Sequence, residues 1–255
     1  VAVKKLEDEL GVILFERGKS EITVTHAGEP IVQQAEKVLA EAARIKELAH
    51  TAGDPLAGPL RLGAIYTIGP YLLPKLVPLL RERAPKMPLI IQENFTAKLI
   101  EALKSGELDV AILALPVEEP GLVAQAVYDE AFRVLVPAQH PWAKQKSIDA
   151  DRLLDEPLLM LGRGNCFRDQ VLDLCTRAGA GGPQVLEGSS LETIRHMVAS
   201  GVGITVMPAS AVDELPKNDA LLRVRPFGEP TPIRRVGMVW RASFPRFQAI
   251  DLLRK

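Results

Sequence analysis

The stretch Leu158-Leu159-Met160-Leu161-Gly162-Arg163-Gly164-Asn165-Cys166-Phe167-Arg168-Asp169-Gln170-Val171-Leu172-Asp173-Leu174-Cys175 reads as strand, turn and helix. Leu158 to Leu161 is a short apolar run of the kind a buried strand requires, and Gly162 to Gly164 form the turn that follows. Asn165 is placed to cap a helix, which Phe167, Val171, Leu172 and Leu174 continue as an amphipathic one. Cys166 opens that helix, where the helix dipole and Arg168 both favour a thiolate. Cys175 lies further along the same helix. Nine residues of helix advance about 13.5 Å and turn about 900°, so the two side chains leave opposite faces. A disulfide needs Cα atoms within about 7 Å, so this pair joins only if the helix unwinds. Two readings follow from the spacing. One is a switch between a reduced helical state and an oxidised rearranged state; the other is two unrelated buried cysteines.

Strand and helix alternate on both sides of this unit. Downstream come a strand near Gln184 to Leu186, a helix from Leu191 to Ser200 with Ser189 and Glu192 spaced as a capping box, and a buried strand from Val202 to Met207. A strand near Arg235 to Trp240 and a helix near Phe244 to Leu253 are placed to return to an earlier lobe. Upstream, a strand near Phe132 to Pro137 is preceded by Leu60 to Ile65, a helix from Pro70 to Arg83, Leu89 to Glu93, a helix from Ala97 to Ser105, and Leu108 to Leu115. This βαβαβ order predicts a parallel sheet covered on both faces. The pattern is α/β, two lobes with crossing connections, with a ligand expected at the carboxyl ends of the strands.

Gly53-Asp54-Pro55-Leu56-Ala57-Gly58-Pro59 is a run of helix breakers and marks the front edge of the lobes. Before it, Ile31, Ala35, Val38, Ala42, Ile45 and Ala49 fall at heptad spacing within His26 to His50. That helix is expected to span about 30 Å and either to pair with a second copy or to pack on its own domain. Val1 to Gly11 is a further helix, followed by Val12 to Phe15, a charged turn, and Ile22 to Thr25. Helix then hairpin is the back half of a winged helix-turn-helix. Arg17 and Lys19 at the tip either meet phosphates or form a solvated turn. The chain begins at Val1, already inside a helical pattern, and reads as truncated at its front.

With 31 basic and 32 acidic side chains, a net charge of -1 and 47% hydrophobic residues, the 255-residue chain lacks the basic excess of a compact nucleic-acid domain. Its length calls for two or three units. No apolar run reaches a membrane span, no signal peptide opens the chain, and two cysteines fit a reducing cytosol. Gly162-Arg163-Gly164 lacks the third glycine of a dinucleotide fingerprint. His26, His50, His140 and His196 have no metal-ligand spacing, and no cofactor is expected.

Taken together, these pieces resemble the LysR family of bacterial transcription regulators. The resemblance is carried by Lys4-Lys5-Leu6-Glu7-Asp8-Glu9-Leu10-Gly11 with Phe15-Glu16-Arg17, by Thr25-His26-Ala27-Gly28, and by Gly58-Pro59-Leu60 and Gly106-Glu107-Leu108-Asp109. Ile65-Tyr66-Thr67-Ile68-Gly69-Pro70, Cys166-Phe167-Arg168-Asp169-Gln170 with Cys175, and Ser190-Leu191-Glu192-Thr193-Ile194-Arg195 are similar to its peroxide-sensing members. The fold implied is a two-lobed, periplasmic-binding-protein-like effector domain preceded by a long linker helix and a truncated winged helix-turn-helix. Its divisions are residues 1–25 for the DNA-binding remnant, 26–54 for the dimerisation helix and 55–255 for the effector domain. Lobe I is expected at about 55–128 with 236–255, and lobe II at about 129–235.

The resemblance further implies that Cys166 is the peroxidatic cysteine and Cys175 the resolving one, oxidised through a sulfenic acid to a disulfide. Thr67, Thr96, Asn165, Arg168, Asp169 and Arg235 are the implied peroxide pocket, and Lys4, Lys5, Arg17 and Lys19 the DNA-facing residues. Implied partners are operator DNA, hydrogen peroxide, a homodimer or homotetramer, and RNA polymerase; the implied place is the cytoplasm, with no membrane. The first two helices of the family's winged domain do not precede Val1, so specific operator binding is not expected of these residues alone. Asn165 departs from the family's usual histidine, which bears on the rate of reaction rather than the fold. Two alternatives are a LysR-type regulator answering a small metabolite, with Thr67 meeting a carboxylate, and a thiol-based peroxide-reducing enzyme; a regulator rather than an enzyme is expected.

Overall fold

The computed structural model describes every residue except 1, 18–21, 36–37, 40–41, 43–44, 46–53, 177–184 and 255. At the front, α1 (Ala2–Leu10) is followed by an antiparallel hairpin of β1 (Phe15–Arg17) and β2 (Ile22–Val24), with Phe15 opposite Val24. Glu7 fastens the two together. Its carboxylate accepts from the backbone N–H groups of Leu14 at 2.7 Å and Phe15 at 3.1 Å. Thr25 does the same for the next helix, donating to Ile13 O at 2.6 Å and accepting from Gly28 N at 2.8 Å. That helix, α2, is helical at residues 29–35, 38, 39, 42 and 45. Val38 is 59% and Ile45 69% exposed on the single chain; Ala49 lies outside the described residues.

Lobe I is built from β3 (Leu60–Ile65), α3 (Gly69–Arg83), β4 (Leu89–Asn94), α4 (Thr96–Ser105) and β5 (Val110–Leu115). Both β4 and β5 run parallel to β3, in the order β4-β3-β5. The apolar face of α3 does the packing, with Leu73 and Leu80 buried and Leu72, Leu76 and Val77 half-buried against the same core. Lobe II repeats the scheme with β7 (Leu158–Leu161), α5 (Cys166–Thr176), β8 (Val185–Gly188), α6 (Leu191–Ala199), β9 (Ile204–Pro208) and the short α7 (Ala209–Val212). Here β8 and β9 flank β7 in parallel.

Two long antiparallel strands join the lobes. β6 (Leu122–Pro137) pairs with β11 (Ile233–Arg241) along its first half and with β9 and β10 (Leu222–Pro226) along its second. β11 also pairs with β5, so one sheet runs β4-β3-β5-β11-β6-β9-β7-β8 through the molecule. The closing helix α8 (Phe247–Arg254) buries Ala249, Ile250 and Leu253 in lobe I, as its placement after β11 requires. Each lobe has its own apolar cluster, one around Leu62, Val110 and Val239, the other around Leu135, Leu159 and Val198.

The first hairpin strand is Phe15–Arg17 rather than Val12 to Phe15, which puts Arg17 in the strand, and three further details differ from the sequence reading. β6 extends back to Leu122, a part whose residues are largely exposed and therefore carry no buried apolar run; backbone pairing with β11 makes it a strand. β10 is a further strand. The cap of α6 is Ser190 rather than Ser189: the Ser190 hydroxyl accepts from Thr193 N at 3.1 Å. No helix among the described residues is long and apolar enough to cross a membrane.

Candidate functional site

Three strands end at the same place. β3 runs out into Tyr66 and Thr67 ahead of α3, β4 into Phe95 ahead of α4, and β7 into the turn that delivers Cys166 to the start of α5. The carboxyl ends of parallel strands are where such folds leave room for a ligand, because helices begin there with free N–H groups. The space is small. A cavity of about 10 Å³ is lined by Ile65, Tyr66, Thr67, Asn94, Phe95, Thr96, Gly164, Asn165 and Cys166. That admits one molecule on the scale of water. Tyr66 and Phe95 meet edge to face across its rim, their centroids 5.4 Å apart.

The local chain geometry is set by glycine at two points. Gly164 has φ 91, with the Phe95 ring 3.9 Å from where a Cβ would stand, so the turn before Cys166 needs a residue free in that region. At Gly69 a Cβ would lie 2.0 Å from Glu93 Oε1. Glu93 thereby sits against the first turn of α3, and burial raises its carboxyl above the ordinary range.

Cys166 and Cys175 are both free thiols. Cys166 belongs by sequence to α5 of lobe II yet packs against the lobe I cluster, whereas Cys175 is 3% exposed inside the lobe II core. Burial pushes the Cys175 thiol up, which keeps it protonated. The fold therefore places the two sulfurs against different cores.

Of the expected pocket residues, Thr67, Thr96 and Asn165 share the cavity with Cys166. The Thr96 hydroxyl is buried without a partner among the described residues. Asn165 precedes α5, and its amide donates to Gly162 O at 3.0 Å, bracing the turn. Arg168 turns back from the helix, donating to Leu161 O at 2.7 Å and pairing with Glu187 at 2.9 Å. Asp169 is exposed in the first turn of α5 and does not line the cavity.

Arg235 is a correction. Its side chain points outward and pairs with Asp129 at 2.8 Å, with 59% of it exposed. The inward arginine is Arg234, because successive residues of β11 face opposite sides and Val236, two further on, is buried with it. Arg234 donates to Thr67 Oγ1 and to Thr67 O, each at 2.8 Å, and its Nε to Glu130 Oε2 at 2.7 Å. The guanidinium also lies 5.3 Å from the centroid of Phe167, the neighbour of Cys166. Glu130 was not suspected from sequence, and an acidic residue in a half-exposed strand carries no signal of its own. Among the front residues, Lys4 and Lys5 are exposed on α1, Arg17 belongs to β1, and Lys19 lies outside the described residues.

A two-lobed α/β receptor domain following a helix and a winged hairpin, with a thiol where the lobes meet, defines a ligand-responsive regulator. Residues 53–255 match the LysR substrate binding domain, and the chain belongs to the LysR family of transcription regulators. Within that family its similarity lies with OxyR. It is 41% identical over 243 residues to the dual transcriptional regulator OxyR of Escherichia coli K12, covering 95% of this chain and 79% of that protein. A full-length OxyR variant from Pseudomonas aeruginosa is 54% identical with a TM-score of 0.80, covering 99% of this chain and 82% of that one. The hydrogen-peroxide-bound form of a Corynebacterium glutamicum OxyR variant is 34% identical with a TM-score of 0.75, covering 99% and 80%.

Proposed function

We infer that the chain is the sensing part of a hydrogen-peroxide-responsive transcription regulator in which Cys166 is oxidised first and Cys175 resolves it. The observation that carries this reading is a water-sized cavity whose wall joins the Cys166 residue to two threonines and two asparagines. Peroxide is small, donates and accepts hydrogen bonds, and needs such groups more than a large apolar space. The thiolate attacks one peroxide oxygen; an S–O bond forms, the O–O bond breaks, and the departing hydroxide takes a proton to become water. The resulting sulfenic acid condenses with the Cys175 thiol, releasing a second water and leaving a disulfide.

The pocket set on this reading is Cys166, Thr67, Thr96 and Asn165, with Arg234 held behind Thr67 and Arg168 holding the turn. The divisions at residues 1–25, 26–54 and 55–255 are proposed to serve DNA contact, dimerisation and sensing. Lys4, Lys5, Arg17 and Lys19 are the proposed phosphate contacts. The assembly proposed is a homodimer or homotetramer on operator DNA, touching RNA polymerase, in a reducing cytoplasm. It turns over no substrate: one peroxide sets the switch. Mapping both thiols by mass spectrometry before and after stoichiometric peroxide tests the reading. A Cys166–Cys175 bridge is expected, and two free thiols after treatment would overturn it.

A further inference from the structure

We propose that Glu130 is a positioning residue of the sensor, holding Arg234 so that the Thr67 hydroxyl is presented to the cavity as a hydrogen-bond donor. The proposal rests on the reading that peroxide oxidises Cys166 in that cavity.

The carboxylate of Glu130 is buried and both its oxygens are engaged. Oε2 accepts from Arg234 Nε at 2.7 Å, and Oε1 accepts from the backbone N–H of Ser210 at 2.9 Å. Ser210 lies in α7 of lobe II, and Glu130 lies in β6, where that strand passes between the lobes. One side chain therefore fixes the arginine against both crossing strands and lobe II. From there Arg234 reaches lobe I, with Nη1 on Thr67 Oγ1 and Nη2 on Thr67 O.

The direction of the Nη1 bond has a chemical consequence. A guanidinium carries donors and no acceptor, so Thr67 Oγ1 has to accept. The single hydroxyl proton of Thr67 is then free to point elsewhere, and Thr67 lines the cavity beside Cys166. The Thr96 hydroxyl, buried and without a partner among the described residues, can either donate or accept. The pair suits a molecule with both functions on adjacent oxygens. As the Cys166 sulfur takes one peroxide oxygen, charge builds on the other, which leaves as hydroxide. A donor already aimed there stabilises that charge without having to reorient. Glu130 touches neither sulfur nor peroxide; it acts through Arg234 and Thr67.

Glu130→Gln separates this role from a merely structural one. Glutamine keeps one oxygen and turns the other into an NH2 group that only donates, so either Arg234 or the Ser210 N–H loses the acceptor it has in the wild type. In a Cys175→Ser background, two rates are measured at Cys166: oxidation by hydrogen peroxide in a stopped-flow cell, and alkylation by iodoacetamide. Alkylation breaks no O–O bond and has no use for a donor at the departing oxygen. Glu130→Gln is expected to slow peroxide about tenfold while changing alkylation less than about twofold. Thr67→Val should slow peroxide at least as much, and the double variant no further than Thr67→Val alone, since both act through one hydroxyl. Additive losses, or equal slowing of both reagents, would overturn the proposal. Should Glu130→Gln fail to fold, Glu130→Asp keeps the charge and both acceptors on a shorter arm; selective slowing of peroxide is expected, and an unchanged rate overturns the idea. A wild-type Cys166 inert to peroxide would remove the underlying reading and this proposal with it. A reactive wild type with an equally reactive Glu130→Gln removes the proposal alone.

Discussion

Asn165 stands at the cavity wall with its amide on Gly162 O, so no group at that position exchanges a proton near neutral pH. An imidazole there could relay a proton to the departing hydroxide. Asn165→His is therefore expected to raise the peroxide oxidation rate of Cys166, by at least roughly tenfold on the scale of general acid catalysis. Stopped-flow rates that are equal or lower would leave Asn165 as a brace for the turn and nothing more. Gly164 is a harder constraint, since its φ of 91 lies where side chains are strained. Gly164→Ala should lower stability by about 1–2 kcal/mol in a urea melt, with Cys166 displaced along with the turn. Thr67, Thr96 and Cys166 are implied by the family resemblance rather than by periodicity, and all three line one cavity. The choice between Arg234 and Arg235 turns on strand register, which adjacent identical residues leave undetermined until Val236 is known to face inward.

Cys175 links the residue to its element. Because burial raises its pKa, the folded protein holds that proton at a pH where the unfolded chain has released it. Stability is then fully present below the unfolded value of about 8.5 and is lost as pH rises from there through the folded value. Relative to Cys175→Ser, the wild type should lose stability between neutral and alkaline pH, and parallel melting curves from pH 7 to 10 would contradict it. The helix that carries Cys175 sets the larger consequence. With the sulfurs on one α-helix, about 13.5 Å apart along its axis, a bridge cannot form until α5 unwinds. Phe167 and Val171, both 2% exposed in the reduced form, must then leave the lobe II core. Hydrogen exchange over Cys166–Thr176 should change from protected to fast on oxidation, and unchanged protection alongside a confirmed bridge would contradict the unwinding. Strand β7 and helix α5 were legible because their apolar patterns are dense. The first half of β6 was not, because it is ordered by its neighbour β11 rather than by burial of its own side chains.

At the scale of the molecule, the two lobes are held by more than the crossing strands. Tyr71 of α3 donates to Glu192 of α6 at 3.3 Å, Lys75 pairs with Glu214, and Arg234 spans from Thr67 to Glu130. Burial, and then the nearby Glu192 carboxylate, push the Tyr71 hydroxyl upward, so it stays a donor across the pH range of interest. The cysteine helix lies beside this junction, so releasing its apolar face alters a surface both lobes share. What must cover that face is a question of assembly. The Ile31, Val38 and Ile45 seam of α2 supplies a surface that a lone chain leaves in water, with Val38 59% and Ile45 69% exposed. Heptad spacing with small residues along one edge suits a second copy of the same helix, whose burial would remove that area from solvent. Replacing both Val38 and Ile45 by Glu sets like charges against each other in the seam and should split the proposed dimer. Sedimentation velocity on the reduced protein checks it. A halved mass is expected with the sensing lobes still folded, and an unchanged mass would assign the holding contact to the effector domains instead.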